Sequence, residues 1–215
     1  MLVSDSPDIS SLIHAVDTAD SAPALIGAVR SLAAAQSPTA ITTLITVLGF
    51  NNPGAAVAAV DGLVALGQAA VPALLEQLDG YNYGARAWAI RALSMIGDPR
   101  SRDVLVETAR GDFALSVRRA AAKGLGFIDW QRLPADDRSA AQMAALAALQ
   151  VAIADPEWVV RYASVVGLAG LAQALDPADT AQQAIHSALK TVAQQDAEVV
   201  VKARAQWALT ELPTA

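Results

Sequence analysis

The sequence contains no cysteine among its 215 residues. Structural disulfides and thiolate-bound metals are therefore excluded, and the chain has no sulfur nucleophile of its own. Aromatic residues are also scarce, at 5%, although hydrophobic residues make up 54%. Alanine supplies the excess, and alanine-rich sequence favours closely packed helices. We therefore expect a helical protein with a core of small side chains.

Two uncharged runs, residues 31–60 and 139–154, raise the question of membrane insertion. Ser37-Pro38 and Asn51-Asn52-Pro53-Gly54 interrupt the first run, and the second is shorter than the ~18 residues that a span requires. Both runs therefore predict buried helices and not membrane spans. The start MLVSDSPDIS lacks the basic and apolar regions of a signal peptide, so we expect a cytoplasmic protein.

Charge is unevenly distributed along this chain, whose net charge is −6. Residues 1–79 carry one basic and seven acidic side chains, whereas residues 80–138 carry ten basic and seven acidic ones. Residues 139–215 are acidic again, with four basic and seven acidic side chains. The overall acidic balance disfavours nucleic acid as a partner, and the basic middle third favours a small anionic ligand.

The chain is built from repeats, which are recognised by a leucine in register within an alanine-rich helix. The five segments are AAVAAVDGLVALG (55–67), ARAWAIRALSMIG (85–97), VRRAAAKGLGFID (117–129), VRYASVVGLAGLA (160–172) and VKARAQWALTELP (201–213). Their register leucines are Leu63, Leu93, Leu125, Leu168 and Leu209. Partner helices with apolar residues at i, i+3, i+4 and i+7 lie between the segments.

Helix pairs repeating every 30 to 43 residues are typical of a HEAT or armadillo α-solenoid. We therefore predict an all-α protein, a right-handed superhelix of antiparallel helix pairs. The prediction for domain organisation is one solenoid domain over residues 1–215 with about five to six helix pairs.

Basic residues recur seven positions before the register leucines of repeats two to five: Arg86, Arg118, Arg161 and Lys202. Aspartates precede the last three by six residues, at Asp112, Asp155 and Asp196. Repeat proteins reuse such positions to fix the stacking of neighbours, so this pattern predicts a structural ladder. In that ladder each aspartate pairs with the basic residue of its own repeat. Arg86 has Gly80 in place of the aspartate, so we expect it to be available for another role.

Two runs, GYNYGARAWAIRAL (80–93) and GDFALSVRRAAAKGLG (111–126), resemble the F-type, or β, subunits of the E/F-type phycobilin lyases. These are cyanobacterial HEAT-repeat proteins. The resemblance implies a cofactorless lyase subunit that forms a heterodimer with an E-type, or α, partner. It further implies that phycocyanobilin is bound as substrate and joined by a thioether to a cysteine of the phycocyanin α-subunit. Related lyase-isomerases carry a His-Cys pair where this chain has Asn82-Tyr83, so attachment without isomerisation is expected.

A linear tetrapyrrole has two propionates and a flat conjugated face, which call for cations and aromatic surfaces. Arginine binds carboxylates through its planar fork. The candidate cations are Arg86, Arg91, Arg118 and Arg119. Because second helices of neighbouring HEAT repeats stand side by side, we expect these groups to face one trough.

Aromatic candidates flank the cations, because tyrosine and tryptophan offer a stacking face with a polar group. They are Tyr81 and Tyr83, with Asn82 between them, then Trp88 and Trp130. Trp88 aligns with a small residue of the next repeat, so a core position and a binding position both remain open for it.

Catalysis by such a subunit would consist mostly of placement, because the acceptor protein supplies the thiolate. Tyr83 and Asp129 are the candidate proton donors, and a solvated loop position is the alternative for Asp129. His14 and His186 lie far apart in the chain, and no metal site is expected.

Two functional classes remain open from the sequence. One is the lyase subunit, and the other is a noncatalytic HEAT adaptor that binds phycobiliprotein or bilin. The uncharged run 31–60 adds a separate hypothesis, since surface helices normally display charge: this segment could pack against the E-type subunit.

Overall fold

A computed structural model describes residues 8–78, 83–176 and 179–212. Within these ranges the regular structure is helical and contains no β-strand. The chain divides into two compact units, Met1–Ile96 and Gly97–Ala215. In the described residues no helix combines the length and the apolarity that a membrane crossing needs.

The first unit contains three consecutive helix pairs among its described residues. Their bounds are α1 Ile9–Asp17, α2 Ala22–Ala34, α3 Ile41–Leu48, α4 Pro53–Leu66, α5 Val71–Gln77 and α6 Tyr83–Ile96. The helices α2, α4 and α6 are the second members of the pairs, and they pack in that order. Local sequence sets some of the starts: the side chains of Ser21 and Asn52 accept hydrogen bonds from the backbone N–H groups of Ala24 and Ala55.

The uncharged run 31–60 contributes largely to the core of this unit. Leu32, Leu44 and Val60 are almost completely buried, and half of the residues of α4 are buried. Its exposed positions include the small polar residues Thr42 and Thr46. Internal packing therefore accounts for much of the missing charge, and the hypothesis that the run contacts a partner subunit stays a prediction.

The second unit repeats the same arrangement. Its bounds are α7 Arg102–Gly111, α8 Leu115–Leu125, α9 Ala135–Ala152, α10 Trp158–Ala174, α11 Thr180–Gln195 and α12 Val199–Glu211. Each first helix packs on its own second helix, and α8, α10 and α12 stack in sequence. Four of the register leucines are fully buried, and Leu209 in the last repeat is half-buried. The prediction of an all-α HEAT-type fold is confirmed. The prediction of one solenoid domain concerns how the two units combine, and it stays a prediction.

Three glycines allow α8 and α10 to approach each other closely. A methyl group on Gly126 would lie 2.7 Å from the Cα of Gly167, and one on Gly170 would lie 2.9 Å from the carbonyl carbon of Gly126. A methyl group on Gly167 would collide with the carbonyl oxygen of Ala122. Contact at this point is between backbones, so only glycine fits.

The turn Gly97-Asp98-Pro99 organises the start of the second unit. Gly97 has a φ of 68°, and its carbonyl accepts a hydrogen bond of 2.8 Å from the N–H of Asp129. The fully buried Asp98 carboxylate accepts hydrogen bonds from the guanidinium groups of Arg100 and Arg132, at 2.8 and 2.9 Å. One carboxylate thus ties the long connector 126–138 to the segment that begins α7.

We expect protonation of Asp98 to destabilise the second unit at acid pH. The hydrogen bond from Arg100 lowers the pKa of Asp98 from 3.8 to about 2. A carboxyl whose pKa is lowered on folding stabilises the folded state above its unfolded pKa, and this contribution is lost as the pH falls through about 2. The contribution of Asp98 to the free energy of unfolding amounts to about 2 kcal/mol.

Denaturant unfolding of the wild type and of Asp98→Asn between pH 2 and 6 tests this expectation. The variant should be less stable than the wild type at pH 6, and the difference should shrink towards pH 2. A difference that is constant over the whole range would contradict the assignment.

Candidate functional site

Arg118, a predicted pigment ligand, is engaged in an ion pair between repeats. Its Nε and Nη2 donate to the Asp155 carboxylate at 2.6 and 3.1 Å, and both side chains are nearly buried. Its Nη1 donates to the carbonyl oxygens of Asp112 and Phe113. The guanidinium therefore joins the turn of its own repeat to the turn of the next one.

Arg161 repeats this arrangement one repeat further along. It forms a two-pronged pair with Asp196 at 2.8 and 3.0 Å, and its Nη1 donates to the carbonyl oxygen of Asp155. The hydrogen bond from Arg161 lowers the pKa of Asp196, and the charge of Lys202 adds to this effect. The ladder predicted from the sequence exists, but its register is wrong by one repeat: each arginine pairs with the carboxylate of the following repeat. The remaining guanidinium nitrogen, Nη1, donates to backbone carbonyl oxygens in the arginine's own repeat.

Trp130 and Asp129 lie in the connector with different environments. Trp130 is only 1% exposed, so its ring is part of the core and does not offer a surface for stacking. Asp129 is exposed and precedes the short 3-10 helix Trp130–Arg132. Burial and ion pairing thus give Trp130 and Arg118 structural roles, and the structure gives no support to their assignment as pigment ligands. The role of Asp129 as a proton donor stays a prediction.

The remaining candidates of the first unit lie on α6 or before it. Arg86 is half-buried, and its Nη1 donates to the carbonyl oxygen of Leu78 at 3.2 Å. Its assignment as a pigment ligand stays a prediction. Arg91 is exposed and its guanidinium lies 5.7 Å from the ring centre of Trp88. The half-buried Trp88 and Arg91 therefore form a cation–π pair at the surface of α6. Both stay predicted ligands.

Tyr81 and Asn82 lie outside the described residues, and Tyr83 begins α6 without a described side chain. Their roles in binding and proton transfer stay predictions. So does the single trough of the sequence-based hypothesis, since Arg86 and Arg91 belong to one unit and Arg119 to the other.

The second unit presents exposed cations and aromatic rings on the stacked helices α8, α10 and α12 and directly after α8. These residues, which we call the cation–aromatic face, are Arg119, Lys123, Phe127, Tyr162 and Trp207. Lys123 lies 5.8 Å from the ring centre of Phe127, and the Arg204 guanidinium lies 4.6 Å from that of Trp207. Cations and exposed aromatic rings therefore occur together in this unit.

The sequence pattern predicted Arg119 as a binding residue but not Tyr162 or Trp207. A signal was present in the repeat register: Tyr162 lies six positions before its register leucine, as Arg119 does, and Trp207 lies two positions before its own, as Lys123 does. Equivalent positions on stacked helices share a face. Aligning the exposed positions as well as the buried ones would have found both aromatics.

Among the described residues, no three histidine, aspartate or glutamate side chains are grouped as ligands of a metal ion. The absence of a cofactor was expected from the family resemblance and stays a prediction.

Comparison with known families supports the repeat architecture and finds relatives that match nearly the whole chain. The family model described as HEAT repeats matches residues 56–126 and 71–169. The chain is 53% identical over 207 residues to "Phycocyanin alpha phycocyanobilin lyase CpcF" of Synechocystis sp. PCC 6803, covering 96% of this chain and 95% of the relative. It is 51% identical over 193 residues to "Phycocyanobilin lyase subunit beta" of Nostoc sp. PCC 7120, covering 90% and 94%.

Similarity to a protein named "Bilin biosynthesis protein PecF" from Mastigocladus laminosus is lower, at 35% identity over 74% of this chain and 71% of that protein. Among solved structures, the complex of CpcE and CpcF of phycocyanin lyase from Nostoc sp. PCC7120 matches with a TM-score of 0.74. That match has 50% sequence identity and covers 80% of this chain and 99% of the matched chain.

Proposed function

Since this chain belongs to the family of phycocyanobilin lyase β subunits, we propose that it is the β subunit of a heterodimeric lyase. It works with an E-type subunit, binds phycocyanobilin and delivers it to a cysteine of the phycocyanin α-subunit. The observation that carries this proposal is the high identity to named lyase subunits over nearly their whole length. The matching structure is a complex of the two subunit types, which supports the heterodimer.

We place pigment contacts of the second unit on the cation–aromatic face. Arg119 and Lys123 are exposed cations one helical turn apart on α8, where they can bind the propionates of the pigment. Tyr162 and Trp207 lie on the two helices stacked beside α8 and offer rings to the conjugated face. The ion pairs of Arg118 and Arg161 hold the three helices in the spacing that this arrangement requires.

The chain contains no thiol, so the bond-forming sulfur belongs to the acceptor. In the reaction the acceptor thiolate adds to one carbon of the ethylidene double bond of the pigment. A proton is delivered to the other carbon of that double bond. The contribution of this subunit is to hold the pigment in one orientation. Placement of this kind accounts for several kcal/mol of an activation barrier.

Co-expression tests the proposed activity. This chain is produced with an E-type subunit, the apo α-phycocyanin and a source of phycocyanobilin, and covalent pigment is measured on the denatured acceptor. Pigment should appear only when both subunits are present. Pigment binding without attachment, with every E-type partner, would instead identify the chain as a noncatalytic adaptor.

The double variant Arg119→Ala/Lys123→Ala is expected to lower pigment attachment about tenfold, because two charge-assisted contacts to the propionates are lost. The matched control is Arg110→Ala/Lys190→Ala, which removes two exposed cations from first helices of the same unit. Initial rates of attachment and circular dichroism are measured for both. Equal losses in the two variants would show that the effect comes from net charge and not from the cation–aromatic face.

A further inference from the structure

The second unit exposes a row of apolar side chains where its second helices begin. Leu115, Trp158 and Val199 are the first residues of α8, α10 and α12, and each lies ten positions before its register leucine. They are 43%, 44% and 74% exposed, and the adjacent Val200 is 44% exposed. We call these four residues the helix-start row.

The row lies on neighbouring turns that are fixed to each other. The ion pairs Arg118–Asp155 and Arg161–Asp196 join the three turns that lead into the three helices. Each aspartate also accepts a hydrogen bond from the backbone N–H two residues later, at Glu157 and Glu198. Packed helices lie about 9 Å apart, so the row extends over about 18 Å.

Negative charge accompanies these apolar residues. Glu157 and Glu198 are exposed and directly precede Trp158 and Val199. Arginines neutralise the nearby charges of Asp155 and Asp196, and Glu157 and Glu198 are exposed carboxylates at this edge. A complementary surface therefore has apolar side chains flanked by lysine or arginine.

The apolar character indicates a lasting partner. Interfaces of permanent complexes are more hydrophobic than those of transient ones. An acceptor must leave after each attachment, whereas the second subunit of a heterodimer remains bound. A row that exposes a leucine, a tryptophan and two valines on fixed turns is suited to a partner that stays bound.

We propose that the helix-start row is a docking site for the second lyase subunit, which covers it with a basic amphipathic helix. The inference rests on the heterodimer of the proposed function and adds the location and chemistry of one contact. A helix of about 15 residues carries its i, i+7 and i+14 positions on one face at intervals of about 10 Å, so apolar residues at these positions would follow the row. Lysine or arginine beside that stripe would meet Glu157 and Glu198.

The test compares the affinity of the purified E-type subunit for variants of this chain, by calorimetry at low and moderate salt. Val199→Glu and Trp158→Ala should each weaken binding about tenfold or more. Glu157→Lys/Glu198→Lys should weaken it and also remove part of the salt dependence. Met143→Glu is the matched control, because Met143 is 46% exposed in the middle of the first helix α9 and not beside the turn that begins α10. Circular dichroism verifies that each variant is folded.

The inference holds if the row variants lose affinity while Met143→Glu keeps it. It is overturned if the row variants bind the E-type subunit normally, or if only Thr46→Glu in the uncharged run 31–60 weakens binding. It is also overturned if Val199→Glu disrupts a homodimer of this chain or affects only binding of the acceptor. Failure of the proposed function would look different, since covalent pigment would then be absent although the wild-type subunits associate.

Discussion

Gly167→Ala is expected to lower the free energy of unfolding of the second unit by about 3 kcal/mol, although alanine is the better helix former. The added methyl group would collide with the carbonyl oxygen of Ala122 and lie 2.7 Å from a methyl group of Leu149. A backbone oxygen cannot turn aside as a side chain does, so α8 and α10 must separate. Their separation would also weaken the contacts of Gly126 and Gly170.

Denaturant titration followed by circular dichroism measures this loss. Gly27→Ala is the matched control, because a methyl group on Gly27 in α2 has no neighbour within 4 Å. That variant should gain about 0.5 to 1 kcal/mol from the smaller backbone entropy of the unfolded chain. The two identical substitutions are therefore expected to have opposite signs. A gain in both would show that the helices have room at Gly167.

Asp155→Ala is expected to cost about 3 kcal/mol, because it leaves the nearly buried Arg118 guanidinium without its carboxylate. The same change removes the acceptor for the N–H of Glu157, which holds the start of α10. Loss of pigment attachment should follow as an indirect effect, since the ion pair positions the helices of the cation–aromatic face.

A double-mutant cycle with Arg118→Met separates the pair energy from the other contacts of Asp155. The double variant should be more stable than Asp155→Ala alone, because it no longer contains an unpaired buried charge. Asp129→Ala, which removes an exposed carboxylate of the connector, should change stability by less than about 0.5 kcal/mol. Additive effects of Asp155→Ala and Arg118→Met would contradict the ion pair.

Part of the candidate site could be predicted from the sequence because it depends on repeat register. The periodic leucines and alanines located the second helices, and the excess of arginine in the middle third located Arg119. Arg118 follows the same pattern and was assigned to the same role. Only its distance to Asp155 shows that the two neighbouring arginines differ, since Arg118 joins two repeats and Arg119 is exposed at the surface.

Trp130 shows a second limit of sequence-based prediction. It lies in a polar connector, which is typical of an exposed ring, yet it is fully buried. The reason is tertiary. The carbonyl oxygen of Gly97 accepts a hydrogen bond from the N–H of Asp129, and the Asp98 carboxylate accepts one from Arg132. The connector therefore folds back on the start of the unit. Neither contact has a local signature, because the partners are more than 30 residues apart.

Local patterns were sufficient for the all-helical class, the repeat register, the family and the absence of a nucleophilic thiol, because each depends on residue type and spacing alone. The direction of the ladder, the backbone contact of Gly167 and the exposure of Tyr162 and Trp207 depend on how successive repeats stack. Stacking joins residues about 35 positions apart, and an aspartate in this register is within reach of two arginines, one in its own repeat and one in the preceding repeat. Only the folded geometry selects between them.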